Sequence, residues 1–542
     1  MTDYEYWLTF DEQTKNELES ITDKAELDDR FYKNLEFGTG GLRGIMGAGP
    51  NRMNRYTVSK ATKGLADYLN NTVKGEKSVA VAYDSRNNSA DFARAAAGVL
   101  CKAGIKVYLF DSLMPTPVLS FAVRYHSCCA GIVITASHNP KEYNGYKVYD
   151  SKGCQLVPKY ADEVIKYVNA VDDIGNIHCE ALESAEKEGK LVRIGEETLN
   201  AFLSEVKKQS VYSEKSDLKI VYTPLHGTGR IPVTRILADK NVSVVREQEM
   251  PDGDFSTVRS PNPEEKDALT LALSQAEREN ADIVIGTDPD CDRVGVGVRH
   301  NGGYVLLTGN QTGALLVDFV LKFKKDSLPK NAAVVKTIVT SGLGSAIAEK
   351  YGVETVQTLT GFKYIGEKIC LWEDNGEHTF IFGYEESYGY LAGTHARDKD
   401  AVSASMLIAE MAAYYKNQGM TLVDALNGIY SEFGYYFDCL ETFVLKGREG
   451  AEKIRFAMET LRNGGAELID GVETVEDYSK GIGDLPKENV LRFIFDDGSW
   501  LAVRPSGTEP KLKIYFSVRG ENREESEKRK QAIQAKLTEL IF

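Results

Sequence analysis

Short apolar runs alternate with amphipathic stretches along most of this 542-residue chain. Two of the stretches between the runs, Ser89–Ala103 and Asp267–Asn280, have helical periodicity. Six of the runs have the length and composition of short buried strands: Val79–Tyr83, Val107–Phe110, Gly131–Thr135, Ile220–Tyr222, Ile283–Ile285 and Val334–Thr337. This alternation predicts α/β units built on mixed or parallel sheets.

The last hundred residues follow a different pattern. Three strand-like runs come in succession, at Val490–Phe495, Trp500–Val503 and Leu512–Val518. A charged helix, Arg523–Leu540, follows them at the end of the chain. We therefore predict a separate α+β domain here.

The length of the chain is typical of three to five domains. Lys207–Lys219 is polar and charged, as linkers are; Asn301–Gly303 reads as a turn before an apolar helix; and Gly434–Leu440 precedes the final domain. We therefore place boundaries near residues 205, 307 and 438. The predicted domains are 1–205, 206–307, 308–438 and 439–542.

The charge balance, 65 basic against 80 acidic side chains, gives a net charge of −15. This balance disfavours nucleic acid and anionic membranes as partners. Met1–Phe10 lacks the basic-then-apolar pattern of a signal peptide, and no stretch approaches transmembrane length. The eight cysteines include no C-x-x-C spacing, which argues against zinc and favours reduced thiols. We therefore expect a cytoplasmic protein.

The segment Ile134–Lys141 reads I-T-A-S-H-N-P-K and directly follows the apolar run Ala130–Ile134. A serine held at the end of a strand, as Ser137 would be, is placed to carry a covalent group when His138 and a cation such as Lys147 lie near it. Asn-Pro marks a turn in any sequence. The pattern alone therefore leaves open a plain strand-to-turn junction.

The segment Gly286–Arg293 reads G-T-D-P-D-C-D-R. In an extended loop, the alternating Asp288, Asp290 and Asp292 point to one side and can converge on a single cation. Oxygen donors suit Mg²⁺ or Ca²⁺, but the sixth and twelfth positions of a calcium hand loop would here be Arg293 and Arg299 instead of Gly and Glu. We favour a magnesium site over the alternative, a solvated acidic turn, because unpaired carboxylates this close would repel one another.

Two further segments carry groups suited to binding an anion and vicinal hydroxyls. Arg504–Lys511, R-P-S-G-T-E-P-K, offers the planar fork of Arg504 together with hydroxyls and backbone N–H groups for an anion. Apolar runs flank it, so it is also a candidate hairpin tip. Gly383–Gly389, G-Y-E-E-S-Y-G, places Glu385 and Ser387 where they can bind vicinal hydroxyls.

These four segments, in this order, resemble the α-D-phosphohexomutase superfamily over residues from about Phe37 to Lys511. They resemble its phosphoserine, magnesium, sugar and phosphate loops. E-E-S-Y-G and Thr360–Lys363, T-G-F-K, resemble the phosphoglucomutase and phosphopentomutase branch, whereas mannose-type enzymes more often carry Met where this chain has Glu386. The resemblance implies four domains around one cleft, of which the first three are similar α/β domains.

The resemblance also implies an isomerase that acts as an intramolecular phosphotransferase. It would interconvert glucose 1-phosphate and glucose 6-phosphate through phosphorylated Ser137 and a glucose 1,6-bisphosphate intermediate, which also serves as activator. Mg²⁺ would bind Asp288, Asp290, Asp292 and the phosphoserine oxygen. Partners would be small sugar phosphates, and the protein would be a monomer or a dimer.

Site residues carry over from the family only where the motifs match. Arg43, in F-G-T-G-G-L-R-G, and Lys147 would hold the reacting group, and His138 would orient it. Lys147 is the first choice of general base, with a pKa lowered by burial and neighbouring cations, and Lys399 is the rival. The expected substrate-binding residues are Arg293, Thr360, Gly361, Lys363, Glu385, Ser387, Arg397, Arg504, Ser506, Gly507 and Thr508.

Several other functions fit the same motifs. A phosphopentomutase acting on ribose or deoxyribose 1-phosphate shares the branch motifs. A phosphomannomutase and a synthase of glucose 1,6-bisphosphate are further alternatives. A magnesium-dependent phosphohydrolase with a serine nucleophile is an alternative of another class, but it has no need of sugar and distal-phosphate loops. A non-catalytic sugar-phosphate binder would have no need of Ser137 and the three aspartates.

Overall fold

The computed structural model describes residues 2–38, 40–445, 447–506 and 511–541. The chain forms two compact units. Unit 1 comprises Met1–Thr308, Phe362–Phe380 and Ser387–Gln418. Unit 2 comprises Gly309–Gly361, Ile381–Glu386 and Gly419–Phe542.

The first sheet of unit 1 has six strands, and their limits are β1 (Gly41–Ile45), β2 (Ser78–Tyr83), β3 (Lys106–Phe110), β4 (Ala130–Ile134), β5 (Tyr143–Asp150) and β6 (Leu191–Ile194). Their order is β1-β5-β4-β2-β3-β6. The pairs β2–β3, β2–β4 and β3–β6 are parallel, whereas β5 is antiparallel to both β4 and β1. The sheet is therefore mixed, as predicted.

The second sheet of unit 1 has five strands, and their limits are β7 (Lys219–Thr223), β8 (Asn241–Val244), β9 (Ile283–Thr287), β10 (Val294–His300) and β11 (Gly303–Leu307). Their order is β11-β10-β9-β7-β8. The turn predicted at 301–303 leads into β11, which pairs with β10, and the expected helix begins only at Gly309. The apolar residues Tyr304–Leu307 form this strand, and polar residues and glycines separate them from the first apolar residues of the helix at Ala314.

Three of the next four strands have residues in unit 2, and the limits of the four are β12 (Ala332–Thr337), β13 (Glu354–Thr358), β14 (Thr379–Glu385) and β15 (Gly389–Ala392). Strand β15 belongs to unit 1. Within unit 2, β12 lies between β13 and β14 and is parallel to β13.

The last sheet, also in unit 2, has five strands, and their limits are β16 (Tyr435–Val444), β17 (Val472–Asp477), β18 (Leu491–Phe495), β19 (Trp500–Pro505) and β20 (Lys511–Gly520). They are antiparallel in the order β16-β20-β19-β18-β17. The segment 434–440, expected to precede the domain, is mostly strand: β16 pairs with β20 from Tyr435 to Val444, and position 438 lies inside it.

Most α-helices of the described residues lie between strands along the chain, and the first three precede β1. Their limits are α1 (Asp3–Trp7), α2 (Glu12–Ser20), α3 (Lys24–Phe31), α4 (Arg55–Thr72), α5 (Ser89–Lys102), α6 (Thr116–Tyr125), α7 (Pro158–Asn169), α8 (Leu182–Lys187), α9 (Glu196–Lys207), α10 (Arg230–Ile236), α11 (Arg246–Glu249), α12 (Thr270–Glu279), α13 (Gly309–Lys324), α14 (Leu343–Lys350), α15 (Phe362–Asn375), α16 (Ala401–Asn417), α17 (Leu422–Phe433), α18 (Gly447–Leu468) and α19 (Arg523–Ile541). Short 3₁₀ helices span Ile174–Asn176, Lys266–Leu269, Lys325–Ser327 and Tyr478–Lys480.

Apolar packing explains why these elements form where they do. In the first sheet, Val79, Val81 and Ile132 are buried against Leu65 of α4 and Leu100 of α5. In the last, Phe493, Leu501, Leu512 and Leu537 are among the residues that form one buried cluster. The strands and helices named from the sequence are confirmed within a few residues, and so is the α/β class. Among the described residues, no helix is long and apolar enough to span a bilayer.

Candidate active site

Ser137 lies in the loop between β4 and β5, where its main chain is held in an unusual conformation. Its φ angle is +52°, in the left-handed region that residues other than glycine rarely adopt. The Ser137 N–H donates to Thr135 Oγ1 at 2.8 Å, and only 3% of the residue is exposed. Strain of about 1–3 kcal/mol at a buried polar residue is typical of a functional site.

The Ser137 hydroxyl has two polar neighbours. It donates to Asp288 Oδ2 at 2.7 Å and lies 3.2 Å from Nδ1 of His138. Burial and the nearby cations Arg293 and Arg43 hold the pKa of His138 well below its ordinary value. A neutral imidazole beside Ser137 can orient the hydroxyl, which agrees with the role that the resemblance implies.

Asp288, Asp290 and Asp292 follow β9 and are all buried. Asp288 Oδ1 accepts the backbone N–H groups of Asp292 and Arg293, each at 3.0 Å. Asp290 Oδ2 accepts from Lys147 Nζ at 2.8 Å and from Thr116 Oγ1 at 3.0 Å. One oxygen of each of these carboxylates is therefore fixed by the protein.

The three carboxylates fit a divalent cation. Each offers an oxygen, and these atoms lie within 4.8 Å of one another. Asp290 Oδ1 and Asp292 Oδ1 are buried and accept no hydrogen bond from the described residues. Burial and the charges of Asp290 and Asp292 raise the pKa of Asp288 well above its ordinary value. A hard cation would relieve this repulsion, and oxygen donors alone favour Mg²⁺ over softer metals.

Two lysines border the carboxylates. Lys147 Nζ, on β5, lies 2.8 Å from Asp290 Oδ2 and 3.4 Å from Asp292 Oδ2, and Lys399 Nζ lies 3.1 Å from the same Asp292 oxygen. Burial alone would lower the pKa of Lys147, but Asp290 and Asp292 outweigh it, so the pKa is raised. The lowered pKa expected for Lys147 is therefore wrong for the protein alone, because its closest charged neighbours are carboxylates instead of cations.

Arg86, the last residue of the D-S-R stretch Asp84–Arg86, holds the Ser137 loop. Its side chain is fully buried and donates to the carbonyls of Ser137 at 2.6 Å and Pro140 at 2.9 Å, and also to those of Asn139 and Tyr143. Asp84 Oδ2 lies 3.3 Å from Arg86 Nε. The loop that carries Ser137 is thus fixed by one buried cation.

The other predicted arginines of unit 1 differ in their surroundings. Arg43 is exposed, and its Nη1 donates to Asn139 Oδ1 at 3.3 Å, next to the Ser137 loop. Arg293 Nη1 pairs with Glu264. Arg397 is different, because its side chain is 0% exposed and pairs with Glu373 at 2.5 Å. In this arrangement Arg397 also donates to the Thr394 carbonyl of its own loop, and its role in substrate binding stays a prediction.

The predicted sugar-binding segment crosses from unit 2 into unit 1. In unit 2, Glu385 Oε1 accepts the Gly361 N–H at 2.8 Å, so the T-G-F-K and G-Y-E-E segments meet there. Thr360 Oγ1 is buried without a hydrogen-bond partner among the described residues. In unit 1, Ser387 lies on a turn, and Lys363 Nζ lies 5.3 Å from the Tyr364 ring centroid.

The predicted phosphate loop begins inside β19, which contains Arg504, and the expected hairpin flanks are confirmed, because β19 and β20 pair as antiparallel strands. Arg504 Nε donates to Glu488 Oε1 at 2.9 Å, and Ser506 N–H donates to the Lys511 carbonyl at 2.8 Å. Gly507 and Thr508 lie outside the described residues. The pKa of Tyr515 is raised, because burial and the charge of Glu386 outweigh the opposing effect of Arg504. The G-Y-E-E segment and Arg504 therefore share one neighbourhood within unit 2.

Sequence reasoning missed three polar residues, Thr116, Lys336 and Asp438. Thr116 donates to Asp290, and the only feature of the sequence that marks its position is the turn-like stretch M-P-T-P. Lys336 is buried on β12 and donates to the Thr340 carbonyl at 2.8 Å. Burial and Arg492 lower its pKa to about 7, and burial raises the pKa of the nearby Asp438 to about 6. A charged residue inside the apolar run V-V-K-T was the available signal for Lys336.

Family models match four successive parts of the chain. Phosphoglucomutase/phosphomannomutase alpha/beta/alpha domains I, II and III match residues 34–174, 200–303 and 308–433, and the C-terminal domain of the same family matches residues 454–535. The chain belongs to the α-D-phosphohexomutase superfamily. The resemblance stated from the four motifs is thereby confirmed, as are three α/β domains followed by a different C-terminal domain. The boundaries at 205, 307 and 438 stay predictions.

Individual proteins of known name are similar to this phosphohexomutase in sequence or in fold. A phosphoglucomutase of Staphylococcus haemolyticus (strain JCSC1435) is 40% identical over 512 residues, which are 91% of this chain and 92% of the relative. The crystal structure of pp63/parafusin, a phosphoglucomutase from Paramecium, in its open form has a TM-score of 0.71 at 20% identity and covers 94% of this chain and 95% of its own. An N-acetylphosphoglucosamine mutase of Aspergillus fumigatus, in complex with glucose 1,6-bisphosphate, has a TM-score of 0.55 at 13% identity, with 97% of each chain covered. These two structures are similar in fold.

Proposed function

We propose that this phosphohexomutase interconverts glucose 1-phosphate and glucose 6-phosphate. The observation that carries the proposal is the 2.7 Å contact between Ser137 Oγ and Asp288 Oδ2, inside a cluster of three buried carboxylates. A serine beside a cation site is suited to accepting and returning a phosphoryl group. Glucose is favoured because the 40% identical relative is named a phosphoglucomutase.

Each half-reaction moves one phosphoryl group between Ser137 Oγ and a sugar hydroxyl. The sugar oxygen forms a bond to phosphorus, the bond from phosphorus to Ser137 Oγ breaks, and the hydroxyl proton is taken by Lys147 or Lys399. The accepting amine must be neutral, and for Lys147 this requires a pKa below the raised value that Asp290 and Asp292 give it in the protein alone. Ser137 Oγ finally regains a proton. The net result is that the sugar oxygen gains a phosphoryl group and loses a proton, and Ser137 Oγ does the reverse. The second half-reaction runs the same step backwards from the other end of the sugar.

Asp288, Asp290 and Asp292 would hold Mg²⁺. When bound, this ion supplies positive charge that offsets the charge of a phosphoryl group in transfer. Arg86 and Thr135 keep Ser137 at a fixed place, and His138 orients its hydroxyl. Positioning of this kind contributes most of the catalysis in phosphoryl transfer, because the reaction needs little covalent help.

We propose that the remaining predicted residues bind the sugar and its second phosphate. Arg504, Ser506, Gly507 and Thr508 would bind the phosphate that is not reacting, and Glu385 and Ser387 would bind sugar hydroxyls. This binding favours a mutase over a hydrolase, because only a mutase must retain a bisphosphate between two transfers. Glucose 1,6-bisphosphate would therefore restore any enzyme that has lost its phosphoryl group.

A coupled assay of the purified protein tests the proposal. Glucose 1-phosphate, mannose 1-phosphate and ribose 1-phosphate are compared, each with its bisphosphate and Mg²⁺. We expect the highest kcat/KM with glucose 1-phosphate. A higher value with ribose 1-phosphate would identify a phosphopentomutase, and release of inorganic phosphate without isomerisation would identify a phosphohydrolase. We further propose a cytoplasmic location, which the eight unpaired thiols support.

A further inference from the structure

The side chain of Lys399 lies in a slot that exists because residue 389 is glycine. A Cβ atom at position 389 would come within 2.6 Å of Lys399 Cγ and closer still to Cδ. Gly389 is buried on β15 and is not among the glycines with positive φ, so its backbone conformation does not require glycine. The close approach of the lysine stem is therefore what excludes a side chain here.

The Lys399 amine lies between two carboxylates. Its Nζ lies 3.1 Å from Asp292 Oδ2 and 3.4 Å from Asp398 Oδ1, and the Phe362 ring centroid is 5.8 Å away. Asp292 belongs to the carboxylate cluster, whereas Asp398 is the neighbour of Lys399 in the chain. The position of Asp398 therefore helps to determine where the Lys399 amine lies.

Asp398 is itself held by Tyr149. The Tyr149 hydroxyl donates to Asp398 Oδ2 at 2.7 Å, and Asp398 Oδ1 accepts the Lys399 backbone N–H at 2.8 Å. Both Tyr149 and Asp398 are buried. Tyr149 also follows Lys147 by two positions on β5, so the two side chains lie on the same face of that strand. One strand thus carries Lys147 directly and fixes Lys399 through Asp398.

We propose that Gly389, Asp398 and Tyr149 are positioning residues that set where the Lys399 amine lies relative to Asp292. The catalytic consequence rests on the proposed function, whereas the placement of the amine does not. Gly389 thereby has a role other than contact with sugar, although it ends the G-Y-E-E-S-Y-G segment. The competing explanation is that Gly389 only allows tight packing of β15, with no effect that depends on Lys399.

The first test measures the placement of Lys399 without any substrate. Wild type, Gly389→Ala and a control, Gly297→Ala, are treated with limiting formaldehyde and cyanoborohydride, and methylation of each lysine is followed by peptide mass spectrometry. Gly297 is matched because it also lies in a buried strand of unit 1, where a Cβ would meet only apolar side chains, at 3.3 Å.

We expect Gly389→Ala to speed methylation of Lys399 by roughly fivefold or more, since a displaced amine loses its paired, shielded site. Lysines far from the slot should be unaffected, and the control should match wild type. Equal rates at Lys399 in wild type and Gly389→Ala would overturn the proposal. If Gly389→Ala does not fold, Tyr149→Phe replaces it, because it removes only the hydroxyl that holds Asp398, and the same increase is expected.

The second test is a double-mutant cycle on turnover of glucose 1-phosphate. Gly389→Ala should lower kcat by on the order of a hundredfold with little change in KM, as expected for a misplaced catalytic group. In a Lys399→Met background it should cause no further loss, because its effect passes through the lysine. Equal losses in both backgrounds would overturn the proposal. A wild-type protein without mutase activity would refute the proposed function, and the methylation result would then decide the placement alone.

Discussion

Ser137 Oγ lies 2.7 Å from Asp288 Oδ2, although 151 positions separate the two residues in the chain. Ser137 follows β4 of the first sheet, and Asp288 follows β9 of the second. The contact brings the candidate phosphoryl carrier to the candidate metal site. Phosphoryl transfer at Ser137 depends on this contact.

The carboxylate cluster predicts a strict requirement for Mg²⁺. Chelation should abolish mutase turnover and added Mg²⁺ should restore it. Asp290→Asn removes one charged ligand and should lower kcat by on the order of 10²–10³, because the lost charge acts on the transition state. Asp28→Asn, at an exposed carboxylate of α3, is the control and should leave kcat unchanged. Turnover that survives chelation would rule out a catalytic metal.

Arg86 should be important for stability as well as for activity. Arg86→Met leaves Asp84 buried without its partner and removes the donor to the carbonyls of the Ser137 loop, so the free energy of unfolding should fall by about 3–5 kcal/mol. Arg94→Met, which removes an arginine with a largely exposed ion pair, should change it by less than about 1 kcal/mol. Urea denaturation of both variants measures the difference. Equal midpoints would show that Arg86 does not fix the loop.

Lys336 should make stability depend on pH. Its pKa is lowered from 10.5 to about 7 in the folded protein. Between these values the unfolded chain binds more protons, so the contribution of Lys336 to the free energy of unfolding rises with pH across this window. The stabilisation gained by Lys336→Met should therefore be greatest near pH 7 and shrink toward pH 10.5.

Urea denaturation at several pH values within that window checks this expectation. The exposed Lys74→Met is the control and should give no such trend. Asp438 titrates near pH 6, below the window, so it contributes little to the slope. If the stabilisation by Lys336→Met stays constant with pH, the pKa of Lys336 is not lowered in the folded protein.

Arg504 should determine how well the bisphosphate intermediate is retained. Arg504→Ala removes charge-assisted hydrogen bonds worth roughly 1.5–3 kcal/mol each, so the intermediate should escape more often. Each escape leaves a dephosphorylated enzyme, and the variant should therefore need more added glucose 1,6-bisphosphate. Activation curves for wild type, Arg504→Ala and the exposed control Arg523→Ala measure this need. Identical curves for all three would mean that this segment is only a hairpin.

The sequence could predict the residues whose signal is local. Ser137 and the three aspartates stand in short motifs with a fixed spacing, and the strands around them are apolar runs. Thr116, by contrast, reaches Asp290 across 174 positions, and no local pattern predicts that contact. The pKa of Lys147 was wrongly expected to be lowered, because its nearest charged partners are set by the packing of β5 and not by its sequence neighbours.

The fold shows the same division between local and long-range signals. The runs that became β2, β4 and β9 are short, apolar and bounded by turns, so they could be predicted. Strand β11 was not predicted, because it lies at the edge of its sheet and is defined by pairing with β10. Strand β16 likewise depends on β20, about eighty residues away in the chain.

The measurement that tests the central claim most directly is phosphopeptide mass spectrometry after incubation with glucose 1,6-bisphosphate. We predict one added phosphoryl group, on the peptide that contains Ser137, and its loss when excess glucose 6-phosphate is added without bisphosphate. Ser137→Ala should acquire no phosphoryl group and should not isomerise glucose 1-phosphate. A phosphoryl group on another residue, or turnover by Ser137→Ala at the wild-type rate, would contradict the account.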